Sequence, residues 1–321
     1  MDIGRFQPLI ILMAAIIGLV IGSSFDISDP DSLMIELPLM ALLLVLFLSV
    51  DLRSIGRSFL NVRFTSMALF LNFIIIPLLA YLLGMVFFQD SIWLRVGLIM
   101  LLVTPCTDWY LVFTGMSHGN VELGISILPL NLMLQILLMP VYLYLFVGSG
   151  LDIGMSSLFI DAFKILVIPF VLALSMKVLI RDRVGLDRML EVHGDNLQLL
   201  FLCIAVVAMF AYEGDSVVGN PMLLLELFIP LGLFFITSLA LSQTIGRSMH
   251  FQYGDTVALT FTTLARNSPL ALAIAVSTFP DQPLVTLALV IGPLIELPIL
   301  SLISWAILRT EKDYRPFGRG G

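Results

Sequence analysis

The sequence predicts an all-α polytopic membrane protein of ten spanning helices, built as two inverted five-helix repeats with helices 4 and 9 discontinuous and crossed. Three observations carry that prediction. Apolar runs return about every thirty residues along the 321-residue chain, each near the roughly 20 residues a spanning helix needs. The loops between them alternate between basic and acidic. The fourth and ninth runs are each interrupted by a polar, proline-containing break.

Composition sets the solvent. Hydrophobic residues make up 59% of the chain and charged residues 12%, against about 25% charged in soluble domains. The bulk of the chain therefore sits in lipid. The net charge of -7, without a basic patch, argues against a nucleic-acid partner. Cys106 and Cys203 lie in separate apolar runs and define no disulfide framework. No metal-ligand cluster, phosphate loop or nucleophile elbow is visible, so no metal, no cofactor and no enzymatic chemistry is expected.

The ten runs are Gln7 to Ser24, Leu33 to Val50, Phe64 to Phe88, Ile92 to Met116, Val121 to Val147, Leu158 to Ile180, Asn196 to Tyr212, Pro221 to Ile245, Tyr253 to Phe279 and Pro283 to Leu308. The first run has the basic start and small-residue end of a leader. It fits the repeat and is read as a span. Basic residues fall in alternate loops: Arg53, Arg57 and Arg63; Lys177, Arg181, Arg183 and Arg188; Arg247; and Arg309, Lys312, Arg315 and Arg319. The intervening loops carry Asp26, Asp29 and Asp31, then Asp90, Asp152, Glu213 with Asp215, and Asp281. Only Arg95 departs from the pattern. The positive-inside rule then places both termini in the cytoplasm of a cell-membrane protein.

Five spans per half is an odd number, so two related halves face opposite ways. The repeats are expected at about residues 7–148 and 158–308 of a single transporter domain. Each half ends with a broken helix followed by a proline-containing helix that carries a polar group. The first has Leu128-Pro129-Leu130-Asn131 and the second Gly292-Pro293-Leu294-Ile295-Glu296.

The breaks are Thr104-Pro105-Cys106-Thr107-Asp108-Trp109 and Ala265-Arg266-Asn267-Ser268-Pro269. Proline removes a helical N–H and clashes with the preceding turn, so the chain is expected to unwind at both. Peptide groups freed at membrane depth must be buried in protein or line a cavity. Half-helix N-termini there offer donors to an anion or polar solute, and C-termini offer carbonyls to a cation.

Several side chains near the breaks have two readings. Cys106 is a soft ligand or a small packing residue. Asp108 and Arg266 form a structural salt bridge, the favoured reading, or act in gating and coupling, with Arg266 on an anionic substrate. Glu296, deep in run 10, is protonated or paired; as a functional acid it carries protons or joins a sodium site. Asn131 and Gln135 share a helix face and bond a solute or a neighbouring helix. Thr262, Thr263, Asn267 and Ser268 offer oxygens to a hard cation or a hydroxylated solute.

The run Pro105-Cys106-Thr107 in a broken fourth helix resembles the signature cysteine of arsenical-resistance-3 type arsenite permeases. Gly292-Pro293-Leu294-Ile295-Glu296-Leu297-Pro298 is similar to that family's tenth-helix glutamate motif, and Asn267 through Ala275 to its ninth-helix run. The resemblance covers nearly the whole membrane region, and the superfamily includes the bile acid:sodium symporters. It implies proton-coupled efflux of arsenite, sometimes antimonite, with Cys106 as transient As(III) ligand and Glu296 as a proton-coupling acid. The resulting substrate-binding set is Cys106, Thr107, Asn131, Asn267 and Ser268, and the coupling set is Glu296, Asp108 and Arg266. Two departures stand out. Asp108, Trp109 and Tyr110 replace small and apolar residues after the Cys-Thr pair, and Arg266-Asn267 replaces an amide pair. The alternative reading is a sodium-coupled symporter of an organic anion held by Arg266.

Overall fold

A computed structural model describes residues 7–24, 33–49, 61–107, 109–147, 168–177, 194, 196–197, 199–208, 210–211, 222–279 and 282–311. Apart from one two-residue β-bridge, the regular elements among them are helices. We number them α1 (Gln7–Ser24), α2 (Leu33–Ser49), α3 (Val62–Phe87), α4a (Ile92–Leu102), α4b (Trp109–Met116) and α5 (Val121–Val147). Then come α6 (Ile168–Lys177), α7 (Leu199–Ala208), α8 (Met222–Ser248), α9a (Tyr253–Leu264), α9b (Ser268–Thr278) and α10 (Pro283–Thr310).

Helix positions follow the apolar runs closely. α1 and α5 coincide with the first and fifth runs at both ends. Internal prolines do not stop α2 (Pro38), α5 (Pro129, Pro140), α8 (Pro230) or α10 (Pro293, Pro298). Membrane helices tolerate proline because neighbouring groups satisfy the freed carbonyls. Four helices among the described residues are long and apolar enough to cross a bilayer: Val62–Phe87, Val121–Phe146, Leu225–Ser248 and Pro283–Arg309. The fourth and ninth runs fall short as single helices because each is cut in two.

α3 departs from the plain helix its sequence predicts. Leu71–Ile75 form a π-helical segment within it. A π turn frees one carbonyl and re-aims the side chains around it. Here the Tyr142 hydroxyl donates to the Phe73 carbonyl at 2.7 Å, and Asn72 is fully buried.

The broken helices lie at the centre. Val96 to Leu102 of α4a and Thr256 to Leu264 of α9a are buried without interruption. α10 packs along α4a and α9b, α8 along α9a, and α2 against α9b. The outer faces stay apolar: Leu137 and Ile236 are each 67% exposed, with Leu302 and Leu145 close behind. An apolar exterior around a core of buried threonines and amides is the arrangement of a protein solvated by lipid.

Small residues set the distance between α4a and α10. A Cβ on Gly97 would stand 2.7 Å from Ala288 Cβ and 2.9 Å from the Val285 carbonyl oxygen. One on Gly292 would stand 2.7 Å from Leu101 Cδ2. Gly97→Val is therefore expected to lower stability by about 1–3 kcal/mol through overpacking, read as a fall in melting temperature of the purified protein. Gly232→Ala, whose Cβ meets nothing within 4 Å, is the matched control and should melt no lower than wild type.

Candidate functional site

The two breaks meet and pair. Pro105 and Arg266 face each other in an antiparallel bridge. The Cys106 N–H donates to the Ala265 carbonyl at 3.0 Å, and the Asn267 N–H donates to the Thr104 carbonyl at 2.8 Å. This is the widely spaced pair of an antiparallel ladder, in which the two central residues do not bond each other. Pro105 consequently gives up nothing by lacking an N–H. The Arg266 N–H is left pointing away from the bridge, and Glu296 Oε1 of α10 accepts it at 2.9 Å.

The bridge is reciprocal in its side chains too. Cys106 follows Pro105, and its Sγ accepts the Trp109 N–H at the start of α4b at 3.3 Å. Asn267 follows Arg266, and its Oδ1 accepts the Leu270 N–H at the start of α9b at 3.2 Å. Each side chain accepts an N–H three residues on, and Asn267 does so as the N-cap of α9b. Pro269 stands in the first turn of α9b, where its missing N–H is not needed. It starts that half-helix, and the unwound residues lie before it. The Ser268 hydroxyl donates to the Leu289 carbonyl and ties the same end to α10.

Arg266 is only 2% exposed. Its Nη1 donates to the Leu102 carbonyl at 2.9 Å and its Nε to the Leu264 carbonyl at 3.4 Å. Nη2 reaches the Thr262 carbonyl at 3.2 Å, the Thr263 carbonyl, and Asn72 Oδ1 at 3.5 Å. The acceptors are thus the last carbonyls of α4a and α9a plus one amide oxygen. The Phe234 ring of α8 lies 5.5 Å from the guanidinium carbon. Among the described residues the one ion pair within 4 Å is His118–Glu311, at 3.2 Å, with the His118 side chain exposed.

A ring of amides and hydroxyls links this centre to α3 and α5. Asn131 Nδ2 donates to Thr262 Oγ1 at 3.1 Å; Asn72 Nδ2 reaches the same oxygen at 3.4 Å and Asn131 Oδ1 at 3.5 Å. Gln135, one turn along α5, is fully buried, and neither of its amide atoms has a partner among the described residues. The same holds for Asn267 Nδ2. Buried polar atoms are nearly always satisfied in folded proteins, so each of these amides is open to a water or another polar partner.

Of the residues singled out in the sequence, Cys106, Asn267, Arg266 and Glu296 are joined at the bridge, with Thr107 and Ser268 buried alongside. Asn131 joins through Thr262. Asp108 lies outside the described residues, and with it the expected Asp108–Arg266 pair. Asn72 was missed. It stands within Leu69-Phe70-Leu71-Asn72-Phe73-Ile74, where a lone amide in an apolar run was the available signal.

Comparison with known proteins gives the family. The profile of the Sodium Bile acid symporter family matches residues 36–220, which contain the first break. The arsenical-resistance protein Acr3 of Corynebacterium glutamicum is 26% identical over 254 residues, covering 75% of this chain and 69% of that protein. Acr3 of Alkaliphilus metalliredigens is 23% identical over 278 residues, covering 79% of this chain and 75% of that protein. The Bacillus subtilis protein YbaS is 26% identical over 266 residues, covering 82% and 85%. The profile takes in more than half of the chain, and the chain is a multi-pass membrane transporter that belongs to the sodium bile acid symporter family.

Proposed function

We propose that this transporter exports arsenite, and antimonite with it, in exchange for protons. In this reading the chain is one domain of ten spans, two inverted repeats at about residues 7–148 and 158–308, with both termini in the cytoplasm of the cell membrane. The reciprocal bridge supports the repeat: Thr104, Pro105 and Cys106 stand to Ala265, Arg266 and Asn267 as each set stands to the other. Cys106, Thr107, Asn131, Asn267 and Ser268 bind substrate; Glu296, Asp108 and Arg266 serve coupling.

The observation that carries the reading is the sulfur of Cys106, 2% exposed at the unwound end of α4b with the Trp109 N–H donating to it. Arsenous acid is small, neutral near pH 7 and soft. In binding, the thiol sulfur forms an As–S bond while one As–O bond breaks, and the departing hydroxide takes the thiol proton as water. A single thiol gives a reversible bond, which a carrier needs. The amides of Asn267 and Gln135 suit the hydroxyls that stay on arsenic. Its burial and its bond to the main chain of the second break support Glu296 as the acid that takes the proton.

The family description favours a second reading, a sodium-coupled symporter of an organic anion. Arsenite tolerance separates the two. Cells lacking their own exporter should gain As(III) tolerance from the wild type and lose all or nearly all of it with Cys106→Ala at equal membrane abundance. Equal tolerance in vector, wild type and variant would reject arsenite export.

Glu296 admits a sharper comparison. Glu296→Gln keeps an oxygen for the Arg266 N–H, so melting should stay close to wild type while proton-driven As(III) accumulation in everted vesicles falls at least about tenfold. Glu296→Ala leaves that buried N–H unpaired, and stability should drop by about 1–3 kcal/mol. Full transport by Glu296→Gln would remove this residue from coupling.

A further inference from the structure

The ends of α4a and α9a make a cation site out of main chain. Each half-helix stops at the bridge, and a helix C-terminus carries orphan carbonyls and about half a negative charge. Two such ends at one point add to about one. In transporters with broken helices, these carbonyls are what hold a coupling cation. Here the Leu102, Thr262, Thr263 and Leu264 carbonyls, with Asn72 Oδ1, all turn on one group, the guanidinium of Arg266.

We propose that Arg266 is a tethered cation: its guanidinium fills the carbonyl site at the crossing, so the protein neither binds nor needs sodium there. The chemistry matches the donor set. Five oxygens of the kind that coordinate alkali ions instead accept N–H bonds from a group that is always charged and presents its donors as a fixed fork. A bound sodium ion leaves when the helices part, and its gradient can then be harvested. A guanidinium on its own backbone stays, so this site transmits no ion gradient. It supplies the permanent positive charge that holds two negative helix ends together. Arg266 also links the site to Glu296 through its own N–H, at 2.9 Å. The part of Arg266 in coupling is then indirect: its N–H holds Glu296 at the crossing, and the gradient acts on that neighbour rather than within the carbonyl site.

The inference rests on reading the crossing as a transport site, not on the identity of the substrate, and its test involves no arsenic. Purified full-length protein is melted in sodium, potassium and choline chloride, and saturable binding of radioactive sodium is measured in parallel. Wild type should melt at one temperature in all three salts and bind no sodium. Arg266→Ala empties the carbonyl site; it should melt lower in choline and recover about 5 °C or more in sodium alone. Saturable sodium binding to the wild type, or a sodium-specific rise in its melting temperature, would overturn the proposal. So would an Arg266→Ala protein that melts like wild type, or one whose lowered melt ignores sodium, since Arg266 would then be an ordinary brace. If Arg266→Ala does not survive purification, Arg266→Met, which keeps the apolar stem and removes the charge, is melted in the same three salts and read by the same outcomes.

Discussion

Peptide groups inside a membrane have no water to fall back on, and the two broken helices meet that constraint by bonding to each other. Two main-chain hydrogen bonds, Cys106 to Ala265 and Asn267 to Thr104, close the gap that both breaks open. An unsatisfied group at this depth costs several kcal/mol, so the breaks are tolerable only as a pair. Much of the surrounding arrangement follows. The bridge fixes where α4b and α9b begin and hence which side chains cap them. It also directs the amide of Arg266 toward α10.

The charges obey the same logic. A guanidinium in hydrocarbon demands acceptors at every donor, and helix C-termini are the densest supply of unused acceptors in an all-α protein. The carboxyl group of Glu296 accepts the main-chain N–H of Arg266. Arg266 therefore connects two different electrostatic environments, carbonyl-rich around its side chain and carboxyl-bearing around its backbone. Asn72, Asn131 and Thr262 extend the first environment into α3 and α5.

Much of this was legible in the sequence. Where an unbroken run is described at both ends, its hydrophobic limits lie within a few residues of the helix limits, because in lipid the apolar length is the helix length. Breaks at Pro105 and before Pro269 were visible as polar residues where none should be. Their encounter followed from the repeat argument. Pairwise geometry was not legible. Nothing in one dimension says that Arg266 spends its side chain on carbonyls from two helices, or that Glu296 bonds a backbone amide. The π-helical segment was equally hidden, since Leu71-Asn72-Phe73-Ile74-Ile75 reads as ordinary helix and only tertiary packing selects the wider turn.

That wider turn makes the length of α3 a matter of phase. Each residue in a helix rotates the chain by about 100°, and the π segment absorbs one residue that an α-helix has no room for. Removing any single residue between Leu71 and Ile75 would let the segment relax to regular winding with the far half of the helix keeping its present faces. Adding or removing one elsewhere in α3 would swing either Val62–Phe70 or Ile76–Phe87 off its partners. The segment is thus the one stretch of this helix where evolution can change residue count without re-facing it, at the expense of Asn72's aim into the centre.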